Sequence, residues 1–146
     1  MIFRFVVRHG RWLGRMPLLP QLFDALLLMA TALTNRGKLR AIELLEQRAV
    51  ELFHATPSVH RFGGVAFVAG GRELGHVHGN GLFDAFVGRA NRDAAIAAGR
   101  ALPHHVFPRS GWVSFWIERE SDVERAVELL RMSEQADPRH ADGHLS

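Results

Sequence analysis

The strongest structural signal in the chain lies in residues 61–78, which read RFGGVAFVAGGRELGHVH. Apolar side chains alternate with small or polar ones through Val68, which predicts a strand with one buried face over residues 61–68. The residues Arg72–His78 predict a second strand that runs back along the first. Gly70 and Gly71 between them adopt positive φ at no steric cost, as a tight hairpin turn requires. We therefore expect an antiparallel hairpin here.

More strands and helices are predicted after this hairpin. They are strands at Leu82–Val87 and Gly111–Ile117, a short helix at Asn91–Ala98 that ends at Gly99, and a last helix capped by Ser121 or Asp122. Strands joined by hairpin turns and flanked by helices predict an α+β fold. The expected architecture is an antiparallel β-sheet with flanking helices, preceded by an N-terminal helical segment.

The chain has 146 residues, which suits one compact domain. We expect a basic, leucine-rich helical segment over residues 1–56, the α+β domain over residues 57–136, and a disordered tail over residues 137–146. Within the first segment, apolar positions recur at helical spacing over Lys38–His54. The sequence Thr56-Pro57-Ser58 is expected to end that helix.

The apolar run at residues 22–33, LFDALLLMATAL, has two interpretations. It is too short to span a membrane unaided, which takes about 20 apolar residues. In the first interpretation, a helix packs its leucines into the core and turns Asp24 and Thr31 to solvent. In the second, residues 1–33 lie on a membrane surface, with arginines and Trp12 among the lipid headgroups. We expect a cytoplasmic protein, which is membrane-associated in the second case.

The amino-acid composition excludes several kinds of catalytic and metal-binding chemistry. The chain has no cysteine, no tyrosine, one lysine (Lys38) and nine histidines. The missing residues exclude disulfides, thiolate nucleophiles, Cys-ligated zinc and tyrosyl chemistry. Histidine is the side chain that titrates near neutral pH, so acid–base or metal chemistry would depend on it.

The net charge of +3 is concentrated at the N-terminus. Residues 1–40 carry seven basic side chains and one acidic, a net charge of +6, and the remaining residues have a net charge of −3. A nucleic-acid-binding surface would need basic residues across the body of the domain, with aromatic side chains between them. We therefore expect no nucleic-acid partner.

His76 and His78 are the main candidate site. Residues two apart in a strand point to the same side, so the two imidazoles project together. Glu73 has the opposite parity and is expected to face away, whereas Asp84 on the next strand can reach the histidines. Two further candidates lie in the loop before the last strand, where they can close the site: His104 and His105.

These residues permit two kinds of chemistry. Without a metal or any other cofactor, histidines beside Asp84 or Glu73 act as bases that remove a proton from an acidic hydroxyl, and O₂ is a co-substrate. Alternatively, neutral His76 and His78 bind a divalent metal with further ligands from elsewhere. The other histidines are expected at the surface, at helix ends or in the tail: His9, His54, His60, His140 and His144.

Aromatic side chains offer walls for a planar ligand. Side chains alternate along the last strand, with Trp112, Ser114 and Trp116 on one face and Val113, Phe115 and Ile117 on the other. If helices cover one face only, the other aromatic face is available to a ligand. In the alternative interpretation, the aromatic residues belong to the core. Candidates for binding an anionic group are Arg72 and the better placed Arg109.

Four segments together carry a family resemblance: residues 71–78 (GRELGHVH), Pro103-His104-His105, residues 111–115 (GWVSF) and Asp122–Ala126. Across residues 60–133 the chain resembles the luciferase-domain family, which includes the fungal luciferases and small bacterial relatives. The resemblance marks these positions as characteristic of the family: Arg72, Glu73, His76, His78, one of His104 and His105, and Trp112.

The resemblance implies oxidation of 3-hydroxyhispidin, a hydroxylated α-pyrone, by O₂. In the fungal enzymes a peroxide intermediate loses carbon dioxide and emits light, and no organic cofactor is implied. The chain departs from the fungal pattern in two ways. The fungal proteins have a membrane-spanning N-terminus, and they carry further histidines where this chain has Gly79-Asn80-Gly81.

Three functional hypotheses follow. The first is a luciferase-like oxygenase domain that binds a small planar aromatic or pyrone-like molecule, with His76 and His78 as bases or hydrogen-bond partners. The second is a non-catalytic ligand-binding or membrane-associated interaction domain. The third is a histidine-based metalloprotein.

Overall fold

A computed structural model describes residues 18–136 of the chain. Four helices are α1 (Leu18–Thr34), α2 (Arg36–Phe53), α3 (Arg89–Ala97) and α4 (Val123–Gln135), the last preceded by a 3-10 turn at Glu120–Asp122. Six strands are β1 (Thr56–Val59), β2 (Val65–Ala69), β3 (Arg72–Val77), β4 (Leu82–Phe86), β5 (Leu102–Pro103) and β6 (Trp112–Trp116). The predictions for Trp12 and for the tail at residues 137–146 lie outside the described residues.

The six strands form one antiparallel sheet in the order β1-β2-β3-β4-β6-β5. Gly70 and Gly71 join β2 to β3 with φ of 58° and 79°, which are the positive values that a two-residue hairpin turn needs. The predicted hairpin and the predicted α+β fold are confirmed.

Helices α2 and α4 cover one face of this sheet, which we call the helix face. Its core includes Phe67, Val77, Phe83, Ala85, Val113 and Ile117 from the strands, packed on Ala41, Leu45, Ala126 and Leu130 from the helices. Side chains alternate across a strand, so the intervening residues lie on the opposite face. We call this opposite face the cleft face, and it carries His76, Asp84, Ser114 and Trp112.

The sequence predicted four strands, and the structure adds β1 and β5. Each is an edge strand that contains a proline, Pro57 in β1 and Pro103 in β5. Proline has no amide hydrogen to donate, so within sheets it is confined to edges and strand starts. The segment Thr56-Pro57-Ser58 does follow the end of α2 at Phe53, but it begins a strand instead of a loop.

Helix α1 turns its polar side toward the protein, which contradicts the first interpretation of residues 22–33. Thr31 is 7% exposed, and its Oγ1 donates a 2.8 Å hydrogen bond to the carbonyl of Gly79. The amide of Gly79 donates to Asp24 Oδ1 at 2.9 Å. The prediction that Asp24 and Thr31 face solvent is therefore wrong, because both side chains bond the turn between β3 and β4.

Glycine is required at position 79 for this packing. A Cβ on Gly79 would lie 2.6 Å from the backbone nitrogen of Leu28, so a larger residue would push α1 away. The large apolar side chains on the other side of α1 are exposed: Leu19, Leu22, Phe23, Leu26, Met29 and Leu33. Among the helices between residues 18 and 136, none combines the length and the apolar composition that a membrane span needs.

Candidate functional site

A row of register partners crosses the middle of the sheet and positions the site. His76 on β3 pairs with Asp84 on β4, and Asp84 pairs with Ser114 on β6. Partners in register lie side by side on the same face, so all three side chains meet on the cleft face. Ser114 Oγ donates a 2.5 Å hydrogen bond to Asp84 Oδ1. The Asp84 side chain is 0% exposed, which makes it a fully buried carboxylate.

A β-bulge brings Glu73 to the same site. Between Phe67 and Val68 the pairing with β3 shifts, so that Phe67 lies opposite Gly75 while Val68 lies opposite Glu73. The extra residue of β3, Leu74, is buried in the core, and its presence reverses the alternation on one side of it. Glu73 Oε1 consequently lies 2.6 Å from His76 Nδ1. The prediction that Glu73 faces away is wrong, because it assumed an unbroken strand.

Four histidines surround the carboxylate of Asp84. The Nε2 atoms of His76 and His78 lie 3.3 Å and 3.8 Å from its Oδ2. On the other oxygen, Oδ1, both His104 Nε2 and His105 Nδ1 lie at 3.8 Å. The structure thus brings together all four histidines that the sequence singled out, and it places one buried carboxylate at their centre.

His60 is a fifth histidine in the site, although the sequence placed it at the surface. Its ring stacks on that of His76 with centroids 3.8 Å apart, and its Nε2 lies 3.5 Å from Glu73 Oε1. The prediction was wrong because β1 was not recognised, and His60 directly follows this strand. A signal was present in Thr56 and Val59, since β-branched residues favour strands.

Burial and charge set the protonation of the cluster. Burial lowers the pKa of His76, but the carboxylates of Asp84 and Glu73 outweigh it and raise the pKa to about 9. Burial, together with the neighbouring His76, lowers the pKa of His60 to about 4. Burial also lowers the pKa of His104, against the effect of Asp84. At neutral pH His76 is therefore a cation, whereas His60 and His104 are neutral.

Asp84 remains ionised in spite of its burial. Burial by itself raises the pKa of this carboxyl group, but the contact with His76 and the hydrogen bond from Ser114 hold the pKa below its ordinary value. A carboxylate without solvent and a neighbouring imidazolium form a polar centre in a largely apolar domain. Such centres are more frequent at functional sites than elsewhere in proteins.

A cleft of about 620 Å³ opens above this centre. The histidines and Glu73 line its floor, and the walls are formed by Val59, Phe62, Val106, Phe107 and Trp112. The ring of Trp112 lies 5.6 Å from that of His76. A volume of this size, with mainly apolar walls and a few convergent polar groups, is typical of a small-molecule site.

His104 holds the loop that closes one side of the cleft. Its Nδ1 accepts hydrogen bonds from the amides of Val106 and Phe107, at 3.1 Å and 3.0 Å. Its ring also stacks on those of His105 and Phe107. A neutral His104 with an accepting Nδ1 carries its proton on Nε2. The protonated nitrogen is thus the one that lies 3.8 Å from Asp84 Oδ1.

Three residues that the sequence suggested for ligand binding lie elsewhere. Arg72 donates to the carbonyls of Ser133 and Glu134, so it caps the end of α4. Arg109 is exposed in the loop after β5, and Trp116 is exposed near the other end of β6; neither lines the cleft. Trp112 is the one member of the predicted aromatic face that forms a wall, and Ser114 lies below it against Asp84.

Within residues 18–136, three overlapping groups have the donor atoms that a metal ion needs. They are His60 with Glu73 and His76; His76 with His78 and Asp84; and Asp84 with His104 and His105. Within each group one potential ligand atom per residue lies within 4.8 Å of the others. Imidazole and carboxylate ligands suit divalent transition metals.

Comparison with known proteins gives one match. Residues 71–133 match the family model described as Luciferase domain, which covers a little under half of the chain. This segment runs from the hairpin turn to α4. It includes Asp84 with Glu73, His76, His78, His104 and His105, but not His60 or the cleft walls Val59 and Phe62. No curated protein and no solved structure matches the chain.

Proposed function

We propose that the cleft of this chain, whose residues 71–133 match the Luciferase domain family model, binds a small planar hydroxylated aromatic or pyrone-like molecule and promotes its oxidation by O₂. The observation that supports this proposal best is the buried carboxylate of Asp84 within a ring of histidines, directly below an aromatic-walled cleft. In this proposal a planar ring lies between Trp112 and Phe107, which both line the cleft, and directs an acidic hydroxyl toward the polar floor.

The first chemical step is removal of the hydroxyl proton. His76 is a poor acceptor, because its raised pKa keeps it protonated at neutral pH. His105 is better placed: it is half exposed at the cleft, and its Nδ1 faces Asp84 Oδ1 at 3.8 Å. A carboxylate beside an imidazole orients the ring and stabilises the cation that forms when the ring accepts a proton.

The second step needs no protein-bound oxidant. Loss of the proton leaves an electron-rich anion, whose carbon donates an electron pair as it forms a bond to O₂, so that oxygen is reduced to a carbon-bound peroxide. The positive charge of His76 at the floor of the cleft favours the anion of the substrate. The apolar walls keep bulk water from competing for it. Light emission from the peroxide depends on the luciferin that is used.

The test is oxygen uptake and light emission by the full-length protein mixed with 3-hydroxyhispidin in air. We expect uptake in the unmodified protein and a decrease of about 100-fold or more in His105→Gln, which is the usual cost of losing a general base. The matched control is His54→Asn, which changes an exposed histidine outside the cleft. Absence of uptake, or equal rates in His105→Gln and the unmodified protein, would remove the proposal.

A second observation concerns helix α1. We also propose that its exposed apolar side lies on an anionic membrane surface. Leu19 and Leu33, at the two ends of this side, are 78% and 80% exposed. Residues 1–17, which precede it in sequence, contain four arginines and no acidic residue. Apolar area combined with positive charge is what binds an interfacial helix to anionic lipid.

Co-sedimentation with vesicles tests this second proposal. We expect the protein to bind vesicles that contain anionic lipid, and the double variant Leu22→Glu/Leu26→Glu to bind at least about 10-fold less. Val50→Glu/Leu52→Glu is the matched control, because it places the same two charges on exposed apolar positions of α2. Undiminished binding by the double variant would refute the proposal, and so would a dimer that the double variant dissociates.

A further inference from the structure

Three side chains of the site direct one ligand atom each into the same space. His76 Nε2 and His78 Nε2 lie 3.3 Å and 3.8 Å from Asp84 Oδ2, and the three atoms lie within 4.8 Å of one another. Around an ion with ligands at about 2.1 Å, adjacent ligand atoms lie roughly 3.0 Å apart in octahedral and 3.4 Å in tetrahedral geometry. The two separations from Asp84 Oδ2 differ from these values by less than 1 Å.

Both histidines also have a carboxylate on the far side of the ring. His76 Nδ1 lies 2.6 Å from Glu73 Oε1, and His78 Nδ1 lies 3.5 Å from Asp24 Oδ1. Metal-binding histidines almost always direct their second nitrogen to a carboxylate, a carbonyl or water, which leaves the first nitrogen free for the metal. The same arrangement occurs twice here, on residues from two separate parts of the chain.

The other histidines do not share this arrangement. The Nδ1 atoms of His104 and His60 accept backbone amide hydrogens, from Val106 and Phe107 in one case and from Phe62 in the other. Neutral rings of this kind keep a proton on Nε2, the nitrogen that lies nearest to Asp84 or Glu73, so that nitrogen is not free to bind a metal. Hydrogen bonding thus distinguishes one group of three from the other two.

Asp84 Oδ2 lacks the partner that a buried oxygen needs. It is fully buried, and it accepts no hydrogen bond with adequate geometry from any residue between 18 and 136. The other oxygen, Oδ1, is occupied by the hydroxyl of Ser114. Unpaired buried carboxylate oxygens are rare because desolvation makes them costly. The free oxygen is the one that His76 and His78 face.

We propose that His76 Nε2, His78 Nε2 and Asp84 Oδ2 bind one divalent transition-metal ion, with Fe²⁺ as the physiological metal. Two histidines and one carboxylate leave coordination positions open, as in non-haem iron oxygenases. The open positions face the cleft. His76 would bind the ion as a neutral imidazole, since a ligating nitrogen carries no proton.

On the basis of the proposed function, the metal also specifies the substrate class. A planar ring with a hydroxyl and a carbonyl oxygen on neighbouring carbons would fill two adjacent open positions. His105 remains outside the ligand set, so it is still available as the proton acceptor.

Metal binding is tested without any substrate. Full-length protein freed of metal by a chelator is titrated calorimetrically with Zn²⁺ and, in the absence of O₂, with Fe²⁺. We expect one ion per chain. His76→Gln and His78→Gln should each weaken binding by about 100-fold or more, and Glu73→Gln by about 10–100-fold through the lost outer contact. His105→Gln should leave the affinity unchanged.

Several outcomes would overturn the inference. They are absence of stoichiometric binding, binding that His76→Gln and His78→Gln leave intact, and binding that His105→Gln weakens as much as they do. Circular dichroism of each variant checks the fold. A further variant, Asp84→Asn, removes the carboxylate ligand. His78→Gln is informative even if Asp84→Asn fails to fold, because the ring of His78 lies at the edge of the cleft.

The two proposals fail separately. Metal binding without oxygen uptake refutes the proposed function and leaves the metal site intact. Full oxygen uptake by the chelator-treated protein refutes the iron role and leaves the proposed function intact.

Discussion

The helix face and the cleft face of the sheet are built from the same strands, yet they differ in almost every physical property. On β4, Phe83 and Ala85 are fully buried among apolar side chains of the helix face, whereas Asp84 between them is equally buried on the cleft face. Burial of apolar area stabilises the fold on one face. On the other face, burial costs free energy unless each polar group finds a partner. Because side chains alternate along a strand, the residues that stabilise the fold lie on one face and the residues of the candidate site lie on the other.

The largest expected effect is on the helix face. We predict that Phe83→Ala lowers the free energy of unfolding by about 3–5 kcal/mol, because it leaves a cavity in the core. Trp112→Ala is the comparison on the cleft face, and it should cost only about 1–2 kcal/mol because the ring is partly exposed. Urea unfolding measures both, and Phe83→Leu serves if Phe83→Ala does not fold. A larger loss for Trp112→Ala would contradict the division between the faces.

A substitution on the helix face should have a smaller effect on stability and should also alter the cleft face. Ser133 on α4 is fully buried, and its Oγ donates a 2.7 Å hydrogen bond to the carbonyl of Leu74, the extra residue of the bulge. We predict that Ser133→Ala costs about 1–3 kcal/mol, since that carbonyl loses its partner. The bulge also positions Glu73, so the NMR signals of the His76 ring should shift.

The exposed Ser121→Ala is the control for this change, and it should stay within about 0.5 kcal/mol of the unmodified protein. Unchanged His76 signals in Ser133→Ala would show that the bulge does not depend on α4.

The smallest effect concerns a charge on a covering helix. Burial, with a contribution from Glu43, raises the pKa of Glu46 on α2. A raised carboxyl pKa means that folding disfavours the charged form, so the cost is present at neutral pH and disappears as the pH falls below about 4.5. We predict that Glu46→Gln stabilises the protein at pH 7 by about 0.5 kcal/mol, a figure reduced for solvent screening. Thermal unfolding at pH 7 and at pH 4 checks it: an equal gain at both values would show that charge is not the cause.

The sequence predicted a structural feature correctly wherever the pattern for it lay within a short segment of the chain. The hairpin at Gly70 and Gly71, the central strands and the common side of His76 and His78 all follow from short patterns, and the structure contains them. It was insufficient at the edges of the sheet. Prolines in β1 and β5 weaken a strand pattern, and only the strand pairing shows that both strands lie at an edge of the sheet, where proline is tolerated. With β1 unrecognised, His60 was assigned to the surface.

Helices α1 and α2 show that the sequence pattern of a helix does not always predict which of its sides is buried. Each has one apolar and one polar side, and the sequence predicts that the apolar side is buried. This is correct for α2, whose Ala41, Ile42 and Leu45 lie in the core. For α1 this was one of two interpretations, and it is wrong: Asp24 and Thr31 bond the turn at Gly79, while most of the leucines remain exposed.

The sequence by itself determined that this chain forms an antiparallel sheet with helices, and that two histidines two residues apart share one side of a strand. Tertiary structure alone decided which groups meet those histidines. A bulge at Leu74 turned Glu73 inward, register placed Asp84 opposite His76, and α1 brought Asp24 to His78. The physical reason is that side-chain direction along one strand follows from local geometry, whereas bulges, register and helix orientation are set by partners distant in sequence.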